Sequence, residues 1–155
     1  MSLPKPEQGL VIRYSYLWHS EARRGQEEGV KDRPCAVVLA VTQGPNDELR
    51  VMVAPITHTP PGSDGKAREL PPKVAQHLGL DEAPSWIVTS EVNMFTWPGP
   101  DVRAARGKDF AFGHLPNKLA RDMRDDVIAN MRERPRAVER DEAQPSPRRP
   151  RDTER

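Results

Sequence analysis

A mainly β fold of the α+β class, a small barrel of short strands followed by one C-terminal amphipathic helix, is what the sequence predicts. Three observations carry it. Ile12, Tyr14, Tyr16 and Trp18 recur at every second position, the period of one strand face. Cys35–Val41 and Leu49–Ile56 are two apolar runs separated by Gln43-Gly-Pro-Asn-Asp47, which is turn chemistry. Leu119, Met123, Val127, Ile128 and Met131 fall at three- and four-residue intervals, the spacing of a helix face. Strands do not alternate with long helices, so a doubly wound parallel sheet is excluded.

The first strand starts at Gly9, in Leu-Val-Ile-Arg-Tyr-Ser-Tyr-Leu-Trp. The segment from His19 to Pro34 is polar, with Gly25 and Gly29 among eight charged side chains, and reads as a long charged loop that delivers Arg33-Pro34 to the next strand. The two apolar runs then form a hairpin. His58 to Lys66 reads as loop, Pro71 to Leu78 as one or two helical turns closed by Gly79, and Ser85 to Phe95 as a further strand region stopped by the prolines and glycine of Pro98 to Pro100. Pro116 suits the first turn of the final helix, which runs to Met131.

The 155 residues suffice for one hydrophobic core. Only 35% are hydrophobic and 5% aromatic, so part of the chain is expected to lie outside that core. That part is Arg132 to Arg155, with eight arginines, six acidic residues and four prolines, whose few apolar side chains cannot offset its ordering entropy. The predicted organisation is an N-terminal extension over residues 1–8, one domain over 9–131 and a disordered basic tail over 132–155. Without the tail the count is 16 basic against 17 acidic residues, so net charge does not argue for a nucleic-acid partner. The one cysteine, Cys35, excludes an intramolecular disulfide and a thiolate zinc site and reads as a packing residue. No export signal or apolar stretch of roughly 18 residues is present, and a soluble, cytoplasmic protein without membrane partners is expected.

The order of these features resembles the PemK/MazF family of type II toxins. The segments that carry the resemblance are Gly9-Leu-Val-Ile, Gly29-Val-Lys-Asp-Arg-Pro-Cys-Ala-Val-Val-Leu, Val53-Ala-Pro-Ile-Thr57, Ser90-Glu-Val-Asn and Phe112-Gly-His-Leu-Pro with the helix after it. Together they span about Gly9 to Met131. The resemblance implies an SH3-like β-barrel of the PemK/MazF/CcdB kind, a homodimer, a cognate antitoxin partner, and metal-independent, sequence-specific cleavage of single-stranded RNA without cofactor. That cleavage leaves a 2',3'-cyclic phosphate and a 5'-hydroxyl.

The residues can be read against that chemistry. Attack by the 2'-hydroxyl needs a proton acceptor, donors for charge on the phosphoryl oxygens and stabilisation of the leaving oxygen. Arg33, whose planar guanidinium matches a phosphate, corresponds to the family's arginine, and Thr57 to its threonine after Pro-x. Glu91 aligns with an acidic residue of some relatives, whereas Thr89 stands where those relatives have an arginine. His58, beside Thr57, is an alternative acid or base because imidazole titrates near neutrality. Arg23, Arg24 and Lys31 are candidate phosphate contacts, and Trp18 a stacking surface for an unpaired base or, on the strand pattern, a core residue. Plainer readings pair Arg33 with Asp32 or Glu91 and give Thr57 a loop-capping role. His19, His77 and His114 belong to no constellation. On the same fold a gyrase-inhibiting toxin or a noncatalytic interaction module remains open, the latter favoured if the proline-rich Thr57 to Pro72 insertion fills the groove.

Overall fold

The computed structural model describes residues 3–27, 29, 31–105 and 110–140. Within them lie β1 (Leu10–Tyr14), α1 (His19–Arg23), β2 (Arg33–Gln43), β3 (Glu48–Thr57), β4 (Ala67–Glu69), α2 (Pro72–His77), β5 (Trp86–Val88), β6 (Val92–Thr96), β7 (Val102–Arg103), β8 (Ala111–His114), α3 (Asn117–Glu133) and β9 (Ala137–Glu139). The strands form one sheet, antiparallel except for the parallel pair β6–β9. The mainly β expectation holds, with the qualification that the barrel is not closed.

The long hairpin β2–β3 is the spine. Its register runs from Cys35 opposite Pro55 to Gln43 opposite Glu48, with a bulge between Val37 and Leu39. β3 then serves two neighbours along its length: Arg50 to Val53 pair with β6, while Ile56 and Thr57 pair with β5. β1 is shared in the same way, with Leu10 to Ile12 pairing β8 and Arg13 and Tyr14 pairing β7. Splitting strands between partners in this manner curls the sheet.

Strand side chains alternate between faces, and both faces of the spine are buried. Val11, Ala36, Val38, Ala54 and Ile56 point to a cluster covered by Leu78 of the α2 region and by Ala120, Met123 and Val127 of α3. Ile12, Tyr14, Cys35, Val37, Val51 and Val53 point the other way, into the hollow of the curl with Tyr16 and Phe95. There Tyr14 stacks on Phe95 with ring centroids 4.7 Å apart. Two-sided burial is why Cys35–Val38 is a continuous apolar run and not an alternating one. Burial also pushes the Cys35 thiol well above its ordinary value, so this side chain packs and does not react.

Five expectations are corrected. The first strand stops at Tyr14, so Tyr16 and Trp18 lie beyond it, in a segment held by the side chains of Asn93 and Glu91 and not by strand pairing. The segment after Trp18 is not loop throughout: His19–Arg23 is a helical turn, with the Trp18 amide donating to Glu21 Oε1 at 3.0 Å. The strand region Ser85 to Phe95 is two strands, β5 and β6, interrupted at residues 89–91 because β3 changes partner there. Residues 1–8 are not simply an extension: Pro6 is buried, Glu7 Oε1 lies 3.0 Å from His114 Nε2, and Gln8 accepts from Arg124 of α3 at 3.0 Å.

The largest correction concerns the tail. α3 continues to Glu133, β9 pairs beside β6, and Arg140 is 3% exposed, so ordered structure extends nine residues beyond Met131. The physical reason is a bridge: Arg140 donates to Ser15 O at 2.7 Å and Asn93 Oδ1 at 2.9 Å, pairs with Asp101 at 3.1 Å, and lies over the Tyr14 ring. It spans the gap between β6–β9 and β1–β7 that strand pairing leaves open. Residues 141–155 of the predicted tail, like Met1 and Ser2, lie outside the described residues. Among the described residues no helix is long and apolar enough to cross a membrane.

Candidate functional site

At one end of the sheet, where β2 begins and β3 ends, an open cleft of about 490 Å³ is lined by Trp18, Lys31, Arg33, Thr57, His58 and Asp81 among others. Five of the eight residues singled out in the sequence therefore share one cavity. Arg33 enters it from the first position of β2, opposite Tyr14 of β1. Thr57 and His58 enter from the end of β3, where the strand breaks into loop. Trp18 forms the floor between them, with the Arg33 guanidinium carbon 5.1 Å from its ring centroid.

Trp18 is held there by two side chains on the β6 side. Asn93, fully buried, accepts from the Leu17 amide at 2.9 Å and donates to the Leu17 carbonyl at 2.7 Å. Glu91 Oε1 accepts from Tyr16 Oη at 3.0 Å and from the His19 amide at 2.8 Å. The backbone is thus gripped on both sides of the indole. Gly29 completes the packing, since a Cβ there would stand 2.3 Å from the Tyr16 carbonyl oxygen.

Arg33 forms no ion pair among the described residues. Asp32 instead faces Arg13 and Arg103, at 3.6 and 3.8 Å, and Glu91 is committed to Tyr16 and His19. The Nε of Arg33 is buried and has no hydrogen-bond partner among the described residues. An orphaned buried donor costs stability in the free protein, while the side chain as a whole is partly exposed and lines the cleft. Thr57 Oγ1 accepts from the Thr59 amide at 3.2 Å, which is the loop-capping role, and its hydroxyl proton remains to be donated.

His58 is more constrained than its sequence position suggests. Nε2 lies 3.1 Å from Asp81 Oδ2, and Nδ1 lies 2.9 Å from the Pro84 carbonyl and 3.2 Å from Ser85 Oγ. Both ring nitrogens are occupied by the 81–85 loop, so His58 must leave one partner before it can exchange a proton with a ligand. Asp81 and Ser85 are the site residues that sequence reasoning missed; turn-type composition in 81–85 gave no sign that this loop folds onto the end of β3.

The remaining candidates lie elsewhere. Arg23 and Arg24 are exposed on α1 and the turn after it and line neither this cleft nor the next. Glu91 lines a neighbouring cleft of about 540 Å³, which shares Trp18, Thr57 and Thr59 with the first. The proline-rich insertion forms a wall of that second cleft and leaves both open. Among the described residues no group of three or more His, Cys, Asp or Glu is placed to hold a metal ion.

Burial raises the Glu91 pKa above the ordinary carboxylate range, and the bonds from His19 and Tyr16 only partly oppose it. A carboxyl raised on folding adds stability that is fully present below its unfolded value and is lost as pH rises through the folded one. Glu91→Gln keeps an acceptor oxygen for both donors and removes the charge. Its melting temperature is expected to fall less than that of the parent between about pH 4 and neutrality. Any activity at the cleft should drop by far less than the roughly 10²–10⁴-fold that removal of a general base costs. Melting curves and initial rates across that range check both parts; a catalytic collapse with unchanged melting would make Glu91 the base.

Comparison with models of known families, with characterised proteins and with solved structures returns no match.

Proposed function

We propose that the chain is a toxin of the PemK/MazF kind, a metal-independent endoribonuclease that cuts single-stranded RNA at the Arg33–Thr57 cleft. The observation that carries the reading is Arg33, without an ion pair among the described residues, in a cleft that it shares with Thr57, above an indole face. Arginine, hydroxyl and aromatic face are what a phosphodiester with one unstacked base requires.

In this reading the 2'-hydroxyl attacks the adjacent phosphorus and the bond to the 5'-oxygen breaks, giving a 2',3'-cyclic phosphate and a 5'-hydroxyl. Arg33 and Thr57 donate to the phosphoryl oxygens as their charge grows. His58 takes the 2'-hydroxyl proton after leaving Asp81, and a proton from solvent or from His58 completes the leaving oxygen. Glu91 acts by holding Trp18, not as the base. Lys31, at the rim, adds a phosphate contact. A homodimer and an antitoxin that covers the cleft belong to the same proposal. The open groove beside the 57–72 insertion argues against a noncatalytic module.

The test is incubation of the purified chain with single-stranded RNA in the presence of a chelator. Fragments with cyclic-phosphate and 5'-hydroxyl ends are expected; intact RNA at equimolar protein would exclude the nuclease.

A further inference from the structure

The cleft at Arg33 does not end at Thr57. It continues into the second cleft, which in turn shares Asp64, Lys66 and Ser90 with a small depression bordered by Asn130, Arg134 and Arg136 at the end of α3. Depressions with shared lining therefore run from Arg33 over the Trp18 indole, past Lys66, Asp64 and Glu91, to Arg134 and Arg136.

Six arginines elsewhere, at positions 13, 50, 68, 103, 124 and 140, form ion pairs with carboxylates. Arg134 and Arg136 form none among the described residues, although Glu133 beside them is taken up by Lys66 at 2.5 Å. Asn130 is fixed by donating to the Thr89 carbonyl at 2.8 Å, and the Arg136 carbonyl accepts from the Val92 amide at 3.0 Å, so this pole is tied to β6. Arg136 lies within electrostatic reach of Glu91 and Arg134 of Glu133, yet neither is held in a close ion pair among the described residues, and two such guanidinium groups on an ordered backbone suit phosphate, which they can meet in a bidentate fashion.

We infer that single-stranded RNA lies along the whole groove, with the cleaved phosphate at Arg33 and a phosphate further along the strand held by Arg134 and Arg136. The inference rests on the reading of the Arg33 cleft as an RNA site and assigns it a second anchor. The anchor makes affinity depend on strand length, because a short oligonucleotide at Arg33 does not reach it. It positions the strand and leaves the reacting atoms to Arg33 and Thr57.

Binding is measured with a random-sequence dodecamer and a trinucleotide, both carrying 2'-O-methyl groups so that neither is cleaved, at several salt concentrations. The double variant Arg134→Gln, Arg136→Gln is compared with the parent and with Arg121→Gln, an exposed arginine outside the groove. The expected result is a roughly 10-fold loss of dodecamer affinity, a salt slope smaller by about 0.7 for each arginine, and no change for the trinucleotide or for Arg121→Gln. An unchanged dodecamer slope in the double variant, while Arg33→Ala weakens binding, overturns the anchor and leaves the RNA site standing. No binding of either oligonucleotide by the parent overturns both. Loss of affinity for an acidic polypeptide with RNA binding intact would assign the pole to a protein partner and overturn the RNA path.

Discussion

Replacement of Arg33 by alanine is expected to lower kcat/KM for the proposed RNA cleavage by roughly 10²–10³-fold, the loss seen when one donor is removed from developing oxyanion charge. Arg33→Lys should recover only part of it, since a point charge replaces the planar fork. The same substitution has an unusual counterpart in stability. Arg33 Nε is buried without a partner among the described residues, and such a group costs about 1–3 kcal/mol in the free protein. Arg33→Met, which retains bulk against Trp18 and removes the orphan donor, should therefore melt at the same temperature as the parent or higher while cleaving no RNA. Loss of activity with gain of stability distinguishes a ligand-binding arginine from a structural one. Cleavage within threefold of the parent in Arg33→Ala would remove Arg33 from the chemistry.

That pattern bears on how the cleft is built. The indole beneath Arg33 is placed by Asn93 and Glu91, both buried, and by a glycine that lets the chain pass the Tyr16 carbonyl. Hydrogen bonds hold the floor, whereas Arg33 forms no ion pair among the described residues and its Nε has no partner there. A rigid floor under incompletely satisfied donors is the arrangement expected where a charged ligand completes the hydrogen bonding.

Much of this was legible in the sequence, for identifiable reasons. The alternation of Ile12 and Tyr14 marks β1 because its period is local, although the strand stops before Tyr16 and Trp18, and the spacing of Leu119, Met123 and Val127 marks α3 for the same reason. The short strands β4, β7, β8 and β9, of two to four residues, carry no periodic signal; each exists because a neighbour offers a free edge. Arg33 and Thr57 were singled out by type and order and Trp18 mainly as a continuation of the strand pattern, and the fold brings all three to one cleft. The hold of Asp81 and Ser85 on His58 was not legible, because it depends on the path of a loop more than twenty residues downstream. Nor was the commitment of Glu91 to the backbone of residue 19, since a carboxylate in sequence looks the same whether it faces a ligand or an amide.

Arg140 is the case in which composition misled most, and its removal should have the largest effect on stability. A guanidinium 3% exposed that bonds a carbonyl, an amide and a carboxylate from three segments cannot be cut back without taking a donor from buried acceptors and breaking the ion pair to Asp101. Arg140→Ala is expected to cost about 3–5 kcal/mol, a large share of the 5–15 kcal/mol typical of a domain, and to lower the melting temperature by roughly 10–15 °C. A chain ended after Met131 should fail as badly as Arg140→Ala, while one ended after Arg140 keeps every bond of the bridge. If ending the chain after Met131 leaves the melting temperature unchanged, the curl of the sheet holds without its arginine clasp, and the domain boundary belongs where composition alone had put it.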